Sequence, residues 1–295
     1  MNNKVAFYVM NSKGYYTLEK FINRFGAQSV EFVISGKDKS IQHDFFQEIE
    51  SLVKANDITF HDKSDDYEFL ESSFAGYKFA IGWRWIIRND RNLIVFHDSL
   101  LPKYRGFAPL VNCLVNNESQ SGVTALFANS EYDKGDIIAQ KKFDIKYPVK
   151  ISEVIRRVEP LYYELVEEVF TSIKNNETLI SIKQDESKST YSLWLDDEDY
   201  FIDWSWPSTQ IKRFVDAVGY PYCNAKTYLD NKIIKVINAE LVEDVYIENR
   251  ARHIGKIIFY DDYPIVVCKN GLIAFKDLVC EDEEKIKIKF RSRFY

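Results

Sequence analysis

A short apolar run, Val5 to Met10, opens the pattern and ends in the polar cluster Asn11-Ser12-Lys13-Gly14. Leu18, Phe21, Ile22 and Phe25 then recur at helical spacing, so a strand gives way to a helix. Val30 to Ile34, Ile58 to Phe60, Phe79 to Ile81 and Leu93 to Phe96 read as further strands, and Ile41, Phe45, Phe46, Ile49, Leu52 and Val53 share one face of a helix. Ala108 to Val115 reads as helix, Val123 to Ala128 and Ile137 to Phe143 as strands. A long helix follows from about Ser152 to Asn175, with Val154, Val158, Leu161, Leu165 and Val169 on its buried side. Pro160 inside it predicts a kink or a restart. Strands alternating with helices at these lengths predict an α/β architecture, a mostly parallel sheet with helices on both faces. Such sheets bind ligands just past the carboxyl ends of their strands. That rule singles out Asn11 to Gly14, Gly82 to Trp85, and His97 onward.

The character changes late in the chain. Asn175 to Lys188 is polar, and Thr190 to Trp206 is a tryptophan-bearing acidic connector containing Asp196-Asp197-Glu198-Asp199. Beyond a helix at Ile211 to Val218 lie short alternating segments, Lys232 to Ile237, Lys256 to Tyr260, Ile265 to Val267, Leu272 to Phe275 and Ile286 to Phe290. That density of short strands predicts a small β-rich, barrel-like second domain. The expected division is 1–188, a connector over 189–206, and 207–295.

Composition narrows the classes. The 295 residues are 46% hydrophobic and 28% charged, enough to bury real cores in two domains. Lys plus Arg is 39 against 45 Asp plus Glu, a net charge of -6 that disfavours nucleic acid as a partner. The four cysteines are scattered with no C-x-x-C pair, and no His, Cys and carboxylate group stands at metal-ligand spacing. No apolar run approaches the roughly 20 residues that span a bilayer, so a cytoplasmic protein without a membrane partner is expected. The expected sheet is of the Rossmann type, yet there is no G-x-G-x-x-G, Walker loop or G-x-S-x-G.

What stands out is Phe96-His97-Asp98-Ser99-Leu100-Leu101-Pro102-Lys103-Tyr104-Arg105-Gly106, where a strand delivers a histidine to the sheet edge and a turn follows. Downstream lies a second element, Asp133-Lys134-Gly135-Asp136-Ile137. Together they resemble the formyltetrahydrofolate-dependent formyltransferases, with H-x-S-L-L-P-x-Y-R-G at His97 to Gly106 and D-x-G-x-I at Asp133 to Ile137. Glycinamide ribonucleotide formyltransferases are similar but stop before a second domain. Methionyl-tRNA formyltransferases carry one and hold an acidic tRNA with it, whereas residues 201–295 here contain 15 Lys/Arg against 14 Asp/Glu. Nucleotide-sugar N-formyltransferases are the third group. They look most like Val5 to Met10, Ile81-Gly82-Trp83-Arg84-Trp85-Ile86-Ile87, Phe107 to Leu110, Thr190 to Trp194 and Ile202-Asp203-Trp204.

The resemblance implies formyl transfer from N10-formyltetrahydrofolate to the amine of a dTDP- or UDP-linked amino-dideoxy sugar, for surface polysaccharide. It carries over His97 as proton acceptor and Asp133 as its orienting partner. Trp83, Arg84, Trp85, Ile86 and Asp136 fall on the folate side. Ser12, Lys13, Ser99, Tyr104, Arg105, Tyr220 and Tyr222 fall on the substrate side. Tyr104 and Arg105 are read equally as braces of their loop, and Trp83 to Ile86 equally as core. Two residues before the histidine the family has an asparagine that holds the formyl oxygen, and this chain has Val95. That departure leaves a catalytically weak folate- or nucleotide-binding relative as an alternative, beside methionyl-tRNA formyltransferase. A homodimer is expected from β edges and exposed aromatics in the second domain.

Overall fold

The computed structural model describes residues 4–282 and 288–295. Its elements begin with β1 (Val5–Val9), α1 (Asn11–Phe25), β2 (Val30–Ser35), α2 (Phe46–Ala55), β3 (Thr59–Asp62), α3 (Glu68–Ser73), β4 (Tyr77–Ile81) and β5 (Leu93–His97). They continue through β6 (Arg105–Gly106), α4 (Pro109–Val115), β7 (Gln120–Phe127), β8 (Ile137–Asp144), α5 (Ile151–Lys174) and β9 (Tyr191–Ser192). The seven-stranded sheet runs β3-β2-β1-β4-β5-β7-β8. The first five strands are parallel, while β7 and β8 are antiparallel. The order reverses between β1 and β4, the switch point at which doubly wound sheets open a crevice.

Every side chain of β1 is buried, as a strand covered on both faces requires. On one face Phe7 meets Phe21 of α1 at 4.9 Å, and Phe21 meets Phe170 of α5 at 4.7 Å. On the other, Ala6, Tyr8, Phe32, Ile34, Ala80 and Leu93 form a cluster covered by Tyr67, Leu70, Phe74, Trp83, Ile87, Val95 and Ala128. Helices therefore flank a mostly parallel sheet. Three expectations need correction. The polar cluster Asn11 to Gly14 does not precede the helix but forms the first turn of α1. Residues 41–45 precede α2, because Asp44 accepts from the N–H groups of Asp38 (2.9 Å) and Phe46 (3.0 Å) and Phe45 is left-handed at φ 59°. Of the kink or restart expected at Pro160, the restart does not occur, since α5 runs unbroken from Ile151 to Lys174. Its buried Val154, Val158, Tyr162, Leu165 and Val169 carry it past the missing donor.

The remaining elements are α6 (Ser208–Ala217), β10 (Ala225–Leu229), β11 (Lys232–Val242), β12 (Ile257–Tyr260), β13 (Pro264–Val267) and β14 (Leu272–Cys280). They form an antiparallel sheet ordered β10-β11-β14-β13-β12. Phe294 bridges Leu229 at one edge and Arg293 bridges Lys256 at the other, so residues 293–295 stitch the two edges together in a barrel-like closure. The strand expected over Ile286 to Phe290 lies partly outside the described residues, and its described part is not a strand.

The chain divides into two compact units, Met1–Leu110 with Ser119–Ile145 and Glu153–Trp194, and Val111–Glu118 with Lys146–Ser152 and Leu195–Tyr295. This differs from the boundaries expected from sequence. Residues 111–118 join the second unit, where Arg213 Nε of α6 donates to Val115 O at 3.2 Å. The connector divides too. Tyr191 and Ser192 pair with β6 in the first unit, while Trp204 stacks on Phe294 in the second. No helix among the described residues is long and apolar enough to cross a membrane.

Candidate active site

Strand β5 ends on His97, buried at the carboxyl edge of the sheet. Its Nε2 lies 2.8 Å from the carbonyl oxygen of Tyr104. A carbonyl only accepts, so Nε2 carries a proton in this arrangement, and the lone pair of the neutral ring falls on Nδ1. Nδ1 is 3.6 Å from Asp133 Oδ2. Asp133 sits in the turn between β7 and β8 at φ 52°, and the same Oδ2 accepts from Gly106 N–H at 2.7 Å. The two motifs, far apart in sequence, thus meet at one imidazole and one carboxylate.

The loop from Asp98 to Gly106 is held by one bond of its own and by side chains of β7 and β8. Ser99 Oγ donates to Lys103 O (2.7 Å), Thr124 Oγ1 donates to Ser99 O (2.6 Å), and Gln140 Nε2 donates to Leu101 O (2.9 Å). Gly106 has φ 99°, and a Cβ there would stand 2.6 Å from Ser192 O, so only glycine fits. Asp98, buried beside His97, accepts from Lys13 of α1 and from Tyr162 of α5.

The residues expected on the substrate side have partners of their own. Arg105 is wholly buried and braces the loop: Nε and Nη2 donate to Gln184 Oε1 (3.1 and 2.8 Å), and Nη1 and Nη2 to the Glu186 carboxylate (2.9 and 2.7 Å). The bond to Glu186 holds the guanidinium well above its ordinary pKa and pulls Glu186 below the usual carboxylate range. Ser99 is buried in the loop, and Lys13 is paired with Asp98. Ser12 lies half-buried in the first turn of α1. Tyr104 contributes its carbonyl oxygen to His97, with its side chain half-buried. Tyr220 and Tyr222 lie in the second unit, either side of Pro221.

On the folate side, Trp83 packs edge-on against Tyr8 at 5.3 Å and belongs to the apolar cluster. Arg84 pairs with Asp38 at 2.5 Å and lies 3.8 Å over the ring of Trp194. Trp85 covers Gly36, where a Cβ would come 2.6 Å from its ring. Ile86 is exposed, and Asp136 leads into β8, its carbonyl accepting from Phe127 N–H. Val95 packs into the same apolar cluster as Trp83. Sequence reasoning missed Asp98, which fills an unspecified position of the His97 motif, Tyr162, which lies in no motif, and Gln184 and Glu186, which lie in a stretch read only as polar.

A family profile, Formyl transferase, matches residues 15–169, and a second, Formyl transferase, C-terminal domain, matches residues 195–293. The chain belongs to the formyltransferase family. Among its relatives is a methionyl-tRNA formyltransferase of Geobacter metallireducens, 30% identical over 193 residues, 65% of this chain. The match spans 60% of that relative's length. In fold, this formyltransferase is similar to WlaRD, a sugar 3N-formyltransferase crystallised with dTDP and 5-N-formyl-THF (TM-score 0.66, 21% identity, 93% of this chain and 97% of that one). It is also similar to an N-formyltransferase of Helicobacter canadensis in complex with folinic acid and dTDP-3-aminofucose (TM-score 0.67, 21% identity, 92% of this chain and 98% of that one).

Proposed function

We propose that this formyltransferase moves a formyl group from N10-formyltetrahydrofolate to the amine of a nucleotide-linked, dTDP- or UDP-bound, amino-dideoxy sugar. The observation that carries the reading is the meeting of His97 Nδ1 with Asp133 Oδ2 at the carboxyl edge of the sheet. The neutral amine bonds to the formyl carbon, the bond from that carbon to N10 breaks, and the amine proton is delivered to N10. His97 Nδ1 accepts that proton and returns it, while the Asp133 carboxylate stabilises the imidazolium in between. Nε2–H stays on Tyr104 O, which fixes the ring so that Nδ1 is the basic atom. Trp83 and Trp85, with the backbone around them, form the folate side.

A sugar acceptor is favoured over tRNA by the near-neutral balance of residues 201–295, 15 basic against 14 acidic. The enzyme acts in the cytoplasm on the way to O-antigen or another lipopolysaccharide component. It works as a homodimer through exposed aromatics such as Tyr246, Phe259 and Tyr260. The sheet edges no longer support that dimer, since both are paired within the chain. A second reading, a weak or non-catalytic binder, is favoured by Val95, which offers the formyl oxygen no donor. Incubation with formyl donor and a panel of dTDP- and UDP-amino sugars, read by mass, separates the two: a formyl gain on one sugar is expected, and none on any sugar contradicts the reading.

A further inference from the structure

Residues 182–192 follow α5 and contain only one short 3-10 turn and β9. They are nevertheless bonded to both catalytic loops. Ile182 exchanges two backbone bonds of 2.8 Å with Ile137 at the head of β8. Tyr104 N–H donates to Thr190 Oγ1 (2.8 Å), Arg105 N–H to Thr190 O (2.9 Å) and Phe107 N–H to Ser192 O (3.0 Å). Between these anchors Gln184 addresses both loops with one amide. Its Nε2 donates to the carbonyl oxygens of Asp133 (2.6 Å) and Gly135 (2.8 Å), and its Oε1 accepts from Arg105.

That turn needs holding. Asp133 is left-handed at φ 52°, and a Cβ at Gly135 would lie 1.5 Å from Phe127 O. Backbone in such sparsely populated states persists where the surroundings over-determine it. Gln184 provides two donors to this turn and one acceptor to the guanidinium that braces the histidine loop. Glu186 supplies the charge and touches only Arg105 among these groups, so the two side chains divide the work.

We propose that Gln184 is a positioning residue of the formyl-transfer site, clamping the Asp133 turn so that Oδ2 stays between Gly106 N–H and His97 Nδ1. The inference rests on the functional reading above, and it makes the polar stretch after α5 part of the catalytic apparatus.

The test uses Gln184→Glu in the full chain. A carboxylate keeps the shape and the acceptor for Arg105 but cannot donate to the two carbonyls. Amide hydrogen exchange at Gly106, the N–H that reports Asp133 Oδ2, is compared with Arg105 and Phe107, whose N–H groups bond to Thr190 and Ser192. Gly106 exchange is expected to quicken about tenfold or more while the two neighbours hold. The kcat of formyl transfer falls on the order of 10- to 100-fold, with KM for donor and acceptor within about twofold. Should the glutamate variant fail to fold, Gln184→Met is read the same way. Unchanged protection at Gly106, loss of all three amides together, or an unchanged kcat overturns the proposal. If the unmodified chain transfers no formyl group, the functional reading fails by itself, and the exchange measurement still decides the role of Gln184.

Discussion

Val95 points from β5 into the apolar cluster, two residues before His97 on the same face of the strand. On the proposed reading, an amide at this position would supply the formyl oxygen with the donor that valine lacks. Val95→Asn is therefore expected to preserve or raise kcat, and a large fall would show that β5 does not present this position to the reaction. Asp98 tests a different feature. Its partner Lys13 is buried with it, and removing one member of a buried pair leaves an uncompensated charge. Lys13→Met should destabilise the fold by about 3–5 kcal/mol. The double variant Lys13→Met/Asp98→Leu should recover much of that loss in urea denaturation. Equal, additive losses would contradict the coupling.

Elements that bury both faces were legible as short apolar runs, which is why β1, β2, β4 and β5 matched their expected positions closely. Strand β10 was not, because Lys226 and Thr227 break its apolar character. Its signal lay in Asp230-Asn231, both at positive φ, a two-residue hairpin turn leading into β11. The His97 and Asp133 motifs were legible, since each is a compact run. The segment 182–192 was not, since its value lies in partners some 50 to 90 residues away and in polar side chains that read as solvated. Its docking has a pH dependence. Arg105 depresses the Glu186 pKa, so the contribution is complete above the ordinary glutamate range and is lost as pH falls through the lowered folded value. Stability measured against pH for the unmodified chain and Glu186→Gln should converge as pH falls below the ordinary glutamate range and through the lowered folded value. A gap that persists undiminished at more acid pH would show that the pair does not hold the segment.

For the whole molecule, the first unit carries the His97–Asp133 pair and the second a closed antiparallel sheet of nearly balanced charge. A domain built to hold tRNA needs a basic face and a steep salt dependence. Initiator tRNA should accordingly show no measurable affinity at moderate ionic strength in a salt titration. Tight binding that weakens steeply with salt would favour a tRNA acceptor over a sugar.

Transfer itself is the most direct test. With N10-formyltetrahydrofolate and the accepted amino sugar, kcat is measured for the unmodified enzyme, for His97→Ala and for Asp133→Asn. Both variants should lose on the order of 100- to 10,000-fold. Full rate in either would mean that this imidazole and carboxylate do not carry the proton.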